Sequence, residues 1–331
     1  MALLTTGSAG LSGQYQKWFD PQLLKHAKQR LVLAQFGQKK NLPKNKGSKV
    51  IRFTRPDVAD ASQVLSTAEG IATPTFRDYT LTFIDATLLQ YDEACKISDV
   101  LNWTDLFSTL KLETQVMAED FALHADGKIR DQLVADVTGT GNRRYVGATQ
   151  TFAGLQALTQ TTGVLTITDI LDGMTRLEIT RAPYYNGEYV LVVGPQVARD
   201  ILNDPKVVLA GQYGTSKALI TGEIGRWYGV RVVRTTNPFI ENGLGSEGTY
   251  VASPLPANAI YRSFLFGDDG FGIPMLAGQS PFNPTVMICD EADKSDPTNK
   301  FITAGMKSFW VAVTLNSSWV VSISSKSGYS G

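Results

Sequence analysis

One stripe of apolar side chains constrains this chain more than any other feature. Leu106, Leu110, Met117, Phe121, Ala125, Ile129, Leu133 and Val137 recur at steps of mostly four, the spacing of one face of an α-helix. With Thr104 as its cap, the predicted helix covers residues 105–136 and is ~48 Å long. Such a helix far exceeds the usual three turns, and it can bury its stripe only along an elongated body. Gly127 in its interior costs about 1 kcal/mol relative to alanine and marks a candidate bend.

Upstream the period changes to two. Ile51 and Phe53 alternate with Arg52 and Thr54, and Tyr79, Leu81 and Phe83 alternate with Thr80 and Thr82, the pattern of two strands of a ribbon. Residues 55–78 between them carry Pro56, Gly70 and Pro74 and no period. A loop of this length is uncommon inside a compact domain unless it is functional, so it is expected to protrude and to be held by a partner. Residues 1–50 carry nine basic side chains against one acid, Asp20, hence +8; the whole chain has 31 of each sign, so the remainder carries −8. Asp20 before Pro21 reads as the start of a short helix through Leu23, Leu24, Ala27, Leu31 and Val32, stopped at Gly37. Two uses stay open for its cations: a solvated tail, or an arm lying on an acidic neighbour or a polyanion.

Downstream, the Gly- and Thr-rich residues 138–163 read as a loose linker. An α/β pattern follows: a helix after Thr168, a strand at 188–193, a helix from Gly194-Pro195 to Asn203, and a strand at 230–233. The tail reads as strand at 250–252, 259–266 and 285–289, with a hairpin joining 307–314 to 319–324 around Asn316-Ser317-Ser318.

The composition excludes several classes. Zero net charge rules out a bulk polycation, and two Cys with two His argue against a disulfide framework or a cysteine-rich zinc site. The start has no Lys or Arg ahead of its few apolar residues and does not read as a secretory signal. No apolar run approaches the ~20 residues of a membrane helix, which points to a reducing, aqueous setting. Thr285-Val286-Met287-Ile288-Cys289-Asp290-Glu291-Ala292-Asp293 ends in D-E-A-D, but ATP chemistry also needs a phosphate cradle. The nearest candidate, Gly214-Thr215-Ser216-Lys217, lacks the Gly-Lys pair. Gly243-Leu244-Gly245-Ser246-Glu247-Gly248 fits G-x-G-x-x-G but precedes a strand-like Tyr250-Val251 rather than a helix. His26 and His124 have no nucleophile context, and Cys95 and Cys289 are expected to be buried and inert. No enzyme, cofactor or metal site is expected.

The order of elements, together with particular motifs, resembles the tailed-bacteriophage major capsid proteins, the fold named for a Hong Kong lambdoid phage. Leu31-Val32-Leu33-Ala34-Gln35-Phe36-Gly37-Gln38-Lys39-Lys40 with Leu42-Pro43-Lys44-Asn45-Lys46-Gly47 is similar to the arm of the N-four-like podophage subfamily. So are Ala68-Glu69-Gly70, Gln90-Tyr91 with Ser98-Asp99, Gly222-Glu223-Ile224-Gly225 with Gly229-Val230-Arg231-Val232-Val233, and Ala304-Gly305-Met306-Lys307. The resemblance implies an α+β fold in four parts: an N-terminal arm (1–48), an extended β-ribbon loop (49–97), a peripheral domain with a long spine helix (98–160 and 250–331), and an axial α/β domain (161–249). It implies a structural protein that self-assembles into pentamers and hexamers of an icosahedral shell around double-stranded DNA, in a virion capsid assembled in the host cytoplasm. Scaffolding, portal and decoration proteins are possible partners, and no membrane is involved. Expected inter-subunit contacts are Lys25, Lys28, Arg30, Lys39, Lys40, Lys44 and Lys46 in the arm, and Ala68, Glu69 and Gly70 at the ribbon tip. An encapsulin-type nanocompartment shell and an α/β nucleotide-binding enzyme remain the alternatives.

Overall fold

A computed structural model describes residues 32–43, 47–56, 80–104, 109–139, 141–147, 149, 151–207, 225–251, 256, 258–277, 284–291 and 297–329. Residues 20–31 of the expected arm helix, residues 57–78 of the expected ribbon loop and the segment 208–224 lie outside these residues; the described end of that helix, before Gly37, is a 3₁₀ turn at Leu33–Gln35 and not α-helix.

Two sheets and one long helix organise the described chain. The first sheet holds β1 (Gln38–Leu42), β4 (Leu89–Ser98), β11 (Phe271–Leu276), β12 (Thr285–Cys289), β13 (Phe301–Trp310) and β14 (Val313–Thr314). Its axis is β13, which pairs antiparallel with β4 over its whole length, from Phe301 opposite Ser98 to Trp310 opposite Leu89. The second sheet runs β5 (Arg143–Tyr145), β15 (Val320–Ser325), β10 (Ala259–Phe266), β6 (Tyr189–Val193), β8 (Val230–Arg234) and β7 (Arg226–Trp227), with β9 (Phe239–Asn242) also on β10. It draws strands from both stretches of sequence expected to form the peripheral and axial parts. β2 (Val50–Pro56) and β3 (Leu81–Thr87) form the expected separate ribbon, with Val50 opposite Thr87 and Pro56 opposite Leu81.

Five helices complete the described fold: α1 (Asp99–Thr104), α2 (Thr109–Asp136), α3 (Phe152–Ala157), α4 (Ile167–Ile179) and α5 (Pro195–Leu202). The spine, α2, is continuous through Gly127, so no break occurs there. A Cβ at Gly127 would meet nothing closer than Asn237 at 3.7 Å. Its stripe is buried in three successive environments. Leu110 packs with Ile97, Ile302 and Ala304; Met117 and Phe121 pack with Val286 and Met306; Ala125, Ile129 and Leu133 enter the larger core with Phe264 and Phe266. The helix therefore ties the first sheet to the second.

Strand alternation divides the second sheet between two cores. Val190 and Val192 face the α2 side with Phe264 and Phe266, while Tyr189, Leu191 and Val193 face the side of α4 and α5 with Leu265, Val321 and Ile323. Both faces are covered, which is why β6 reads as an unbroken apolar run and β10 as an apolar run broken only by Arg262 and Ser263. Gly173 lets α4 approach closely, since a Cβ there would lie 3.0 Å from Leu265. That helix starts two residues before the expected place. Thr166 accepts from Asp169 N–H while the Asp169 carboxylate accepts from Thr166 N–H, a reciprocal cap.

Three expectations are corrected. The stretch 138–163 is not a loose linker: β5 pairs parallel with β15, Thr151 caps α3, and Val146 and Leu155 are fully buried. The expected hairpin does not form. After β13 the chain adds β14 to Phe271 and Gly272, and the N–H groups of Leu315 and Asn316 both donate to Gly270 O. Asn316 then caps a 3₁₀ turn at Ser317–Trp319. The turn read from sequence is present, but it sends the chain to the other sheet. There β15, buried at every position, needs β10 on one side and β5 on the other. Finally, Cys289 is exposed, at an outward position of β12, and Cys95 on β4 is only half-buried.

Candidate functional site

The interaction residues expected in the arm and ribbon divide sharply. Lys25, Lys28, Arg30, Lys44, Lys46, Ala68, Glu69 and Gly70 lie outside the described residues. Lys39 and Lys40 lie on β1, a strand the periodicity did not show, which runs parallel to β11 from Gln38 opposite Gly272 to Leu42 opposite Leu276. Four of its five residues are exposed, and that polarity hides its strand character. Lys40 donates to Arg52 O at 3.1 Å, and its Nζ stands 4.8 Å from the Phe53 ring centre. It joins the arm strand to the base of the ribbon. Partial desolvation holds the Lys39 ammonium below its ordinary value.

The ribbon is rooted in the body by one face. Ile51, Phe53, Ala86 and Leu88 are buried with Leu315, and Arg55 donates to Leu315 O at 3.4 Å. The other face is solvated: Arg52 grips Asp85 in a two-toothed pair at 2.6 and 2.7 Å and covers Phe83, which is 54% exposed. The Arg52 hydrogen bonds pull the Asp85 carboxyl below its ordinary value.

A second exposed surface was not anticipated. Val100 and Leu101 on α1 are exposed, and Trp103 is 82% exposed; Leu112 and Val116 on the outer side of α2 are exposed as well. The sequence signal was available in Val100-Leu101-Asn102-Trp103, an apolar cluster outside the stripe. Exposed apolar groups close together on one helix, as Val100, Leu101 and Trp103 are, are the usual mark of an interaction surface.

The described residues hold no arrangement suited to catalysis. His124 is exposed and stacks edge-on with Tyr91, ring centres 5.0 Å apart, and desolvation lowers its basicity. Among the described residues no group of three or more His, Cys, Asp or Glu is placed to hold a metal ion. After β12, Asp290 accepts from Asn299 Nδ2 at its backbone and side-chain oxygens. The segment 243–248 links β9 to Tyr250 without opening a helix. Among the described residues, a buried charged cluster joins β9 and β10. Arg262, on β10, lies 2.8 Å from Glu241 and 3.2 Å from Glu247, and Tyr145 donates to Glu247 at 2.6 Å. Burial first, then this bond, pushes the Tyr145 hydroxyl up to about 12. Its sequence signal was a single arginine inside the apolar run 259–266.

No protein-family profile matches the sequence, and no curated protein matches it. Solved structures do match in fold. The capsid of Ralstonia phage GP4 superposes with a TM-score of 0.66 at 11% identity, over 91% of this chain and 92% of that one. The capsid of the cyanophage P-SCSP1u gives 0.64 at 12% identity, over 88% and 87%. An encapsulin complex from Synechococcus elongatus gives 0.54 at 9% identity, over 90% and 89%. The chain thus has the α+β fold of tailed-phage major capsid proteins.

Proposed function

We propose that this chain is a structural major capsid protein, one that self-assembles into the pentamers and hexamers of an icosahedral shell enclosing double-stranded DNA. The observation that carries the reading is a capsid-type fold extending over about nine-tenths of the chain. Its parts suit such a shell: a ribbon rooted by one face, and apolar side chains exposed on α1 and α2. In this reading residues 1–48 form the arm, 49–97 the extended loop, 98–160 and 250–331 the peripheral part, and 161–249 the axial part. The central strands β10 and β15 complete the axial sheet. Scaffolding, portal and decoration proteins, and assembly in a host cytoplasm, belong to the same reading.

Electron microscopy of the purified full chain tests it, with or without a co-expressed scaffolding protein. Closed icosahedral particles are expected; a protein that stays monomeric under both conditions would refute it. An encapsulin-type shell, whose likeness is weaker at a TM-score of 0.54, would form particles that package protein and hold no nuclease-protected DNA.

Within this function the basic arm contacts a neighbouring subunit, as does the ribbon tip around Ala68, Glu69 and Gly70. Lys25, Lys28 and Arg30 flank the apolar residues Leu23, Leu24, Ala27 and Leu31, which need a protein surface to bury against and find none on DNA. Replacing Lys39, Lys40, Lys44 and Lys46 with glutamine separates the two uses. Loss of DNA-free shells supports neighbour contact, whereas intact empty shells that fail to retain DNA would assign the arm to phosphate neutralisation.

A further inference from the structure

The spine carries one acid where its stripe should be apolar. Asp126 lies between Ala125 and Ile129 on the buried face of α2 and is 1% exposed. Its carboxylate makes no ion pair among the described residues. Arg130, one turn on, is the charged side chain that acts on it, but Arg130 is engaged elsewhere, donating to Asn237 Oδ1 at 2.6 Å and to Pro238 O. What Asp126 holds is backbone. Oδ1 accepts from Val32 N at 3.1 Å, Leu33 N at 3.0 Å and Ala34 N at 3.5 Å, and Oδ2 accepts from Val32 N at 3.2 Å. These N–H groups open the 3₁₀ turn Leu33–Gln35, whose own N-terminal residue, Val32, supplies no side-chain cap. An acid 94 residues away in sequence does the work of the missing cap.

The segment it holds is where residues 1–31 join the body. Leu33 and Ala34 are fully buried, and Phe36 packs on Tyr185 and Phe266. Gly37 then threads a gap too narrow for a side chain, since a Cβ there would lie 2.7 Å from Phe271. We propose that Asp126 is a proton-sensitive latch: it fixes the point at which the N-terminal arm leaves the spine, and it grips the arm more tightly as its carboxyl takes up a proton.

The direction follows from linkage. In place the carboxyl is raised from 3.8 to about 6, by desolvation that outweighs the three N–H bonds and Arg130. With segment 32–36 lifted away it would meet water and return toward its ordinary value. The docked form therefore binds the proton more tightly, and docking strengthens as pH falls through about 6. Val32, Leu33, Ala34 and Phe36, the residues laid against it, bring no titratable group of their own.

Hydrogen exchange on the full chain, corrected for intrinsic rates, reads the latch directly in peptides covering residues 32–36. Asp126→Ala is expected to speed exchange there at least ~tenfold, while peptides of the β4–β13 ladder stay as protected as in the parent. Protection of the parent is expected to rise about tenfold between pH 7.5 and pH 5. Asp126→Asn, which keeps the side-chain size and stays neutral across this range, is expected to show no such rise. It decides the matter if Asp126→Ala does not fold. Unchanged exchange at 32–36 in the variants would overturn the latch, and a parent pH profile parallel to that of Asp126→Asn would overturn its proton sensitivity. Neither readout depends on shell formation, so the inference can fail while the proposed function stands.

Discussion

Replacing Glu241 with alanine is the most informative perturbation of the second sheet. Glu241 and Arg262 both have side chains with no solvent exposure, and they meet at 2.8 Å. Burial pushes the Glu241 carboxyl up and the Arg262 guanidinium down, so each charge is held against its own desolvation. Removing one partner of such a pair costs about 3–5 kcal/mol, because the other charge is left buried. Here the lower end is expected, near 3 kcal/mol, since Glu247 still stands 3.2 Å from Arg262 and is 26% exposed. The Gly248 N–H, which donates to Glu241 at 2.7 Å, loses its acceptor and adds about 1 kcal/mol. At roughly 2 °C per kcal/mol for a chain of this size, the midpoint of thermal unfolding, followed by circular dichroism, should fall by about 8 °C. The paired replacement Glu241→Leu with Arg262→Met should behave differently. In the parent, Nε and Nη1 of Arg262 and Oε2 of Glu241 have no hydrogen-bond partner among the described residues, so the native pair is poorly compensated and two apolar side chains should restore most of the loss. A single variant melting within about 1 °C of the parent, or a double variant as unstable as the single, would refute the argument.

Phe121→Ala removes a buried ring from the middle of the spine cluster and should cost ~3–5 kcal/mol, read as a lower melting temperature and a lower yield of assembly-competent protein. Trp103→Ser should leave the stability of the isolated subunit within about 0.5 kcal/mol, because the ring is 82% exposed; in the proposed shell it should reduce particle formation, counted by electron microscopy. Asp126 has a folded value of about 6, above its ordinary 3.8. Its contribution to stability is therefore fully present below pH 3.8 and lost as pH rises through 6, a difference of about 3 kcal/mol. Melting across pH 4.5–7.5 should show the parent gaining on Asp126→Asn as the solution becomes more acidic.

Much of this architecture is legible in local patterns. Steps of four from Leu110 to Leu133 specify a helix and its buried face, alternation at Ile51 and Phe53 specifies a ribbon strand and its rooted face, and the unbroken apolar run 189–193 specifies a strand covered on both sides. Such periods record which side of an element meets water, and each is settled by residues close together in the chain. Partner choice is not recorded that way. Nothing local to Trp310 or Val320 says that the turn between them changes sheets, and nothing in the polar run Gln38–Leu42 says that it pairs with Phe271–Leu276. Asp126 is the sharpest case. It stands out in the sequence as an acid within an apolar stripe, but its role exists only once a turn 94 residues away is brought against it. Residue periodicity determined the long, strongly patterned elements and their faces. The tertiary structure decided their pairing, because a buried N–H or charge accepts whichever partner the packed chain delivers.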